Sequence, residues 1–66
     1  MALKFSHAIV AKVRKGEGWS LAEAGRRVGV SPRKFKGWEE GRSEPSLTEA
    51  FGLAAAFGKD VDHFMA

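Results

Sequence analysis

The run Pro32-Arg33-Lys34-Phe35-Lys36 sets three cations around one aromatic ring, and Trp38-Glu39-Glu40 follows almost at once. Cations so spaced are suited to gripping a polyanion, the Arg as a two-pronged donor and the Lys as point charges. Wound as a helix at about 100° per residue from Pro32, the segment gathers Phe35, Trp38 and Glu39 on one side. Arg33, Gly37 and Glu40 fall on the opposite side, with Lys34 and Lys36 on its flanks. The two aromatics are then anchors, and the cations face outward. Gly37 carries a helix penalty of roughly 1 kcal/mol relative to Ala. On the outward face, close approach of another backbone or a phosphate would account for it.

Other chemistry finds little support. The two histidines, His7 and His63, lie far apart without a carboxylate constellation, and the chain has no cysteine, so no metal site is expected. Glu39 and Glu40 point to different faces and cannot share a proton. No Ser/His/Asp grouping, phosphate loop or carboxylate pair is present, and so short a chain leaves little room for a cleft. An enzyme, a cofactor and a small-molecule ligand are therefore not expected. Trp19, Phe35, Trp38, Phe51, Phe57 and Phe64 occur at helical spacing and read as core residues.

Positioning the basic cluster requires helices, and Gly, Ser and Pro mark where they begin and end. A first helix follows Ser6 as N-cap, with Phe5 placed to staple onto Ile9 or Val10, Val10 and Val13 inward, and Gly16 as its C-cap. A second spans 20–28: Ser20 and Glu23 fit a capping box, Ala24 and Val28 face inward, and Gly29 stops it. The third spans 32–40, with Ser31 as N-cap and Pro32 at the first helical position, where its missing N–H has no consequence. Ser46 caps a fourth, whose stripe is Leu47, Ala50, Leu53, Ala54 and Phe57, and Gly58 ends it. Asp60 opens a short fifth helix, Val61 to Met65, with Phe64 inward. An all-α fold of five helices in one domain, residues 1–66, is the expectation.

With 66 residues the chain is near the lower limit for folding without disulfides or a metal. The absence of cysteine fits a reducing, cytoplasmic setting. No stretch approaches the ~20 apolar residues of a membrane span. Charge is uneven: ten of the eleven Lys and Arg, but only five of the eight acidic residues, lie within residues 1–45. One basic face and one mildly acidic region follow, and the basic one suits a polyanion.

Helices 20–28 and 32–40 joined by Gly29-Val30-Ser31 form a helix-turn-helix, about 20–40, followed by C-terminal helices at about 46–65. From Trp19 to Met65 the order of the glycine turn, Trp38-Glu39, Gly41-Arg42, Pro45-Ser46-Leu47 and Phe57-Gly58 resembles the phage repressor/Cro-type (XRE-like, lambda-repressor-like) helix-turn-helix family. The likeness spans roughly residues 8–65. It implies a compact DNA-binding domain whose third helix enters the major groove, with Arg33, Lys34, Lys36 and Gly37 at base-reading positions. Ser20, Ser31, Arg27 and Arg42 correspond to phosphate contacts, and Arg14 with Glu39 to a structural ion pair. A dimer surface is implied near Lys59, Phe64 and Met65. The chain departs from the family pattern at Leu21, where Gln is common, and at Glu40 and Glu44, where Asn or a cation is usual. Lys59 stands in place of an apolar residue. The resemblance implies a transcriptional regulator, most simply a repressor binding a palindromic operator in double-stranded DNA as a homodimer. A protein-interaction module, such as an antitoxin or co-regulator partnered by a toxin or another protein, is the alternative, and RNA fits the motif less well.

Overall fold

The computed structural model describes residues 4–65. Among them are four α-helices, α1 (His7–Glu17), α2 (Leu21–Val28), α3 (Pro32–Glu40) and α4 (Leu47–Phe57), followed by a 3-10 turn at Val61–Phe64. The fifth helix expected from Asp60 onward is thus a single tight turn. Met65 is extended and pairs with Phe5, which ends the turn after four residues, and Asp60 makes no side-chain cap bond. The first helix also runs further than expected. Its left-handed C-cap is Gly18 at φ 74°, whose N–H reaches Arg14 O and Lys15 O, and Gly16 lies inside the helix.

The N-caps follow from serine chemistry. Ser6, Ser20, Ser31 and Ser46 each accept the backbone N–H of the third helical residue, satisfying a donor that has no partner within the helix. Only Ser46 completes the reciprocal box, with Glu49 Oε1 accepting from Ser46 N at 2.8 Å. At Ser20 the box is half built, because the Glu23 carboxylate turns instead to Arg26 and Arg27.

The core is Val10, Ala24, Phe35, Trp38, Leu53, Ala54, Phe57 and Phe64, contributed by every helix and the final turn. Its aromatic rings pack obliquely: Phe35 on Trp38 at 5.6 Å, Phe57 on Phe64 at 6.1 Å, and half-buried Trp19 on Phe57 at 4.8 Å. Two expected core residues lie outside it, Leu47 at 71% exposure and Phe51 at 58%. Leu47 occupies the first turn of α4, ahead of the stripe that meets the core, and Phe51 lies on that stripe's outer edge. The ends of the domain are tied by a feature that helical periodicity does not encode. Phe5 and Met65 form an isolated antiparallel bridge, and Ser6 N donates to Phe64 O at 2.7 Å. Among the described residues no helix is long and apolar enough to cross a membrane.

Candidate nucleic-acid interface

α2 and α3 meet at a sharp corner. Gly29 takes φ 91° and its N–H bonds Gly25 O at 2.7 Å, with Val30 N on the same oxygen at 2.8 Å. The corner closes onto Gly25 itself. A Cβ built there would stand 2.6 Å from Val30 O, 3.2 Å from Ser31 C and 3.3 Å from Pro32 N. Gly25 therefore lets the turn pass directly over α2, and so sets the angle between α2 and α3. Apolar patterning overlooks it because a glycine has no side chain to count, although glycine inside an otherwise helical segment marks close approach.

Arg14 fixes the far end of α3. Its Nε donates to Glu39 Oε2 at 2.5 Å and its Nη2 to Glu39 Oε1 at 3.0 Å, while Nη1 donates to Trp19 O at 2.8 Å. One guanidinium thus joins α1, α3 and the segment before α2. Only 14% and 10% of the two side chains is exposed, so this is a fork-to-fork pair shielded from water. The hydrogen bond to Glu39 raises the Arg14 pKa above its ordinary value, outweighing the opposing effect of burial.

Held at both ends, α3 exposes Arg33, Lys34 and Lys36. Arg33 has no acidic partner among the described residues. Lys34 is paired with Glu49 of α4 and holds its carboxyl below the usual range, with the Ser46 N–H adding to the effect. Lys36 Nζ lies 3.9 Å from Glu40 Oε2, and Arg42 Nη2 lies 2.9 Å from Glu40 Oε1. Arg27 lies 4.5 Å above the Trp19 ring and donates to Glu23 Oε2 at 2.5 Å, an oxygen also taken by Arg26 at 2.6 Å. The Glu23 carboxyl is lowered accordingly, chiefly by Arg27. Ser20 and Ser31 are exposed and accept from Glu23 N and Lys34 N through Oγ, which leaves each hydroxyl proton available for an anion.

Two sequence expectations are corrected. Gly37 does not lie on the outward face: it is buried, and a Cβ there would come within 3.1 Å of Ser43 Oγ. The chain after α3 doubles back, and the N–H groups of Gly41, Arg42 and Ser43 all point at Gly37 O. Gly37 thus accommodates this returning loop and has no surface to offer a base. Phe64 is 1% exposed and belongs to the core, so it cannot form a dimer surface. Met65 is half-buried beside Phe5, whereas Lys59 is exposed.

No carboxylate, His or Cys cluster suited to a metal exists among the described residues. What the arrangement offers is a short helix, rigidly braced, that projects cations beside two serine-capped helix starts.

The two helices, their glycine corner and the returning loop define a helix-turn-helix protein. Residues 10–64 match the helix-turn-helix family HTH_3, and the chain belongs to that family. No curated protein matches the sequence significantly. In structure the chain is similar to the P22 c2 repressor in complex with a synthetic operator (TM-score 0.87, 24% identity, 92% of each chain covered). It is also similar to the DNA-binding domain of the P22 c2 repressor in solution, with TM-score 0.86, 25% identity, and 97% of this chain and 84% of that one covered. A third likeness is to the clp gene regulator ClgR of C. glutamicum, with TM-score 0.76, 29% identity, and coverage of 83% and 71% respectively.

Proposed function

We propose that the chain is a sequence-specific regulator of transcription that binds double-stranded DNA with α3 in the major groove and acts as a repressor. The observation that carries this reading is the bracing of α3 by Gly25 at one end and Arg14 at the other, with Arg33 exposed and free of an acidic partner among the described residues. An α-helix with its side chains is about 10–12 Å across, close to the ~12 Å width of the major groove, so α3 can lie within it. Arg33 can then bridge O6 and N7 of a guanine, Lys34 and Lys36 reach neighbouring edges or phosphates, and Ser20, Ser31, Arg27 and Arg42 grip the backbone. The P22 c2 repressor, similar in fold and in complex with a synthetic operator, supports DNA as the partner.

Binding is as a two-fold dimer on a palindrome, with half-sites about one DNA turn, ~34 Å, apart. The exposed apolar side chains Leu47 and Phe51 on α4 are its centre. Phe51 borders a shallow hollow with Lys59, Asp60 and Asp62, and charges of both signs at the rim can pair across a two-fold axis.

Selection from a random duplex pool at two salt concentrations tests the reading. Enrichment of a palindrome, with affinity falling steeply as salt rises, is expected. Binding indifferent to sequence refutes it. A chain that sediments as a monomer both alone and on an enriched duplex refutes the dimer.

A further inference from the structure

Five of the six cations on α2, α3 and the following loop are already engaged by carboxylates: Arg26 and Arg27 by Glu23, Lys34 by Glu49, and Lys36 and Arg42 by Glu40. Glu49 completes the cap of α4, and Glu23, in the first turn of α2, is favoured there by the helix dipole. Glu40 has neither role. It is the last residue of α3, with 45% of its side chain exposed, and its carboxylate oxygens divide between Lys36 at 3.9 Å and Arg42 at 2.9 Å. A carboxylate that joins a helix cation to a loop cation stands where a phosphate oxygen would stand between them.

We infer that Glu40 works as a built-in competitor for phosphate that sets the sequence-independent part of DNA affinity. In the free protein it occupies Lys36 and Arg42, and on DNA it goes on competing for them, so that neither cation is fully available to neutralise a phosphate. The phosphate grip is the part of binding shared by every sequence. Weakening it lowers affinity for random duplex and leaves the discrimination made by Arg33 intact. Arg33, without a carboxylate, is the cation that needs no exchange, so base reading proceeds without competition while the sequence-independent grip is throttled. Glu44 supplies the comparison. It is an exposed acid four residues further along and has no cation partner among the described residues.

This inference rests on the DNA-binding reading above, and the experiment separates the two. Binding of the full chain and of the Glu40→Gln and Glu44→Gln variants is measured on an unselected random-sequence duplex and on a duplex enriched from the pool, across a salt series. Circular dichroism melting checks that all three proteins are folded. Glu40→Gln is expected to bind the random duplex about ten-fold more tightly at low salt. Its plot of log affinity against log salt is expected to steepen by about one to two, as one or two further phosphates are neutralised. Affinity for the enriched duplex should rise by a similar factor, because the phosphate grip is common to every sequence, so the specificity ratio changes by no more than about two-fold. Glu44→Gln should change the random-duplex affinity no more than about two-fold, through net charge alone. Equal effects from both variants, or a Glu40→Gln slope equal to the parent's, overturn the inference. A parent chain that binds no duplex at all overturns the DNA-binding reading instead. Should Glu40→Gln not fold, Glu40→Asp, which retracts the carboxylate by one methylene, is expected to steepen the slope in the same direction, and an unchanged slope counts against the inference.

Discussion

Substituting Gly25 by Ala sets two effects of known sign against each other. Gly25 lies inside α2 with ordinary helical geometry, so Ala alone would favour the helix by roughly 1 kcal/mol. Against this, the new methyl would stand 2.6 Å from the Val30 carbonyl oxygen and within 3.3 Å of two further backbone atoms. A flexible side chain could swing aside, but this turn cannot. It is pinned by the hydrogen bonds of Gly29 N and Val30 N to Gly25 O at 2.7 and 2.8 Å, and retreat would stretch both. Overpacking costs about 1–3 kcal/mol and each weakened hydrogen bond up to about 1 kcal/mol more, so steric conflict outweighs propensity by about 2 kcal/mol. In a domain this small, that corresponds to a melting temperature lower by roughly 8–16 °C. Gly16→Ala is the matched control, because it too is helical but meets nothing within 4 Å. It should raise the melting temperature by a few degrees, about 0.5 kcal/mol, through chain entropy and propensity alone. Thermal melting by circular dichroism reads both. A Gly25→Ala chain that melts at or above the parent would refute the claim that close approach at Gly25 sets the corner. Because Ser31 and Pro32 open α3, duplex affinity of the variant should also fall at temperatures where it remains folded.

Further outcomes follow from the ion pairs and from Arg33. Glu39→Gln leaves the Arg14 guanidinium shielded and without its carboxylate, and urea denaturation should show a loss of about 3 kcal/mol; an undiminished midpoint would show the pair to be dispensable. Glu23 and Glu49 have folded-state pKa values below their ordinary 4.5, so their stabilising contribution is complete above that value and is lost as pH falls through the lowered ones. The melting temperature should accordingly decline as pH falls below about 4.5, less steeply in Lys34→Met, and a flat profile would contradict the assignment. Arg33→Ala should relax preference at one base pair and cost about 1–3 kcal/mol on the preferred duplex. Equal weakening on every sequence would make Arg33 a phosphate contact.

How much of this was legible in the sequence varies with the kind of signal. Starts and corners were, because Ser31 with Pro32, Ser20 and Gly29 impose local geometry through their own bonds. The Arg14–Glu39 pair came through family resemblance, helped by the need of an inward-facing glutamate for a cation. Gly37 was misplaced because a helical wheel orders residues around an axis but cannot say where a following loop will return. The loop covers the face that periodicity alone leaves open. Gly16 and Gly18 both sit in a sequence able to end a helix, and the choice fell to Gly18, whose N–H reaches two carbonyls from a left-handed conformation. Helical spacing turns Phe64 inward whereas the family resemblance sets it on a dimer surface, and the bridge between Phe5 and Met65 holds it under the aromatic cluster, in the core.

That bridge has an architectural corollary. With Ser6 N and Phe64 O joined at 2.7 Å, the backbone enters and leaves the helical bundle at one spot. A polypeptide with such adjoining portals can be spliced into the surface turn of another protein, or reconnected end to end by a short linker and opened elsewhere, without unthreading the bundle.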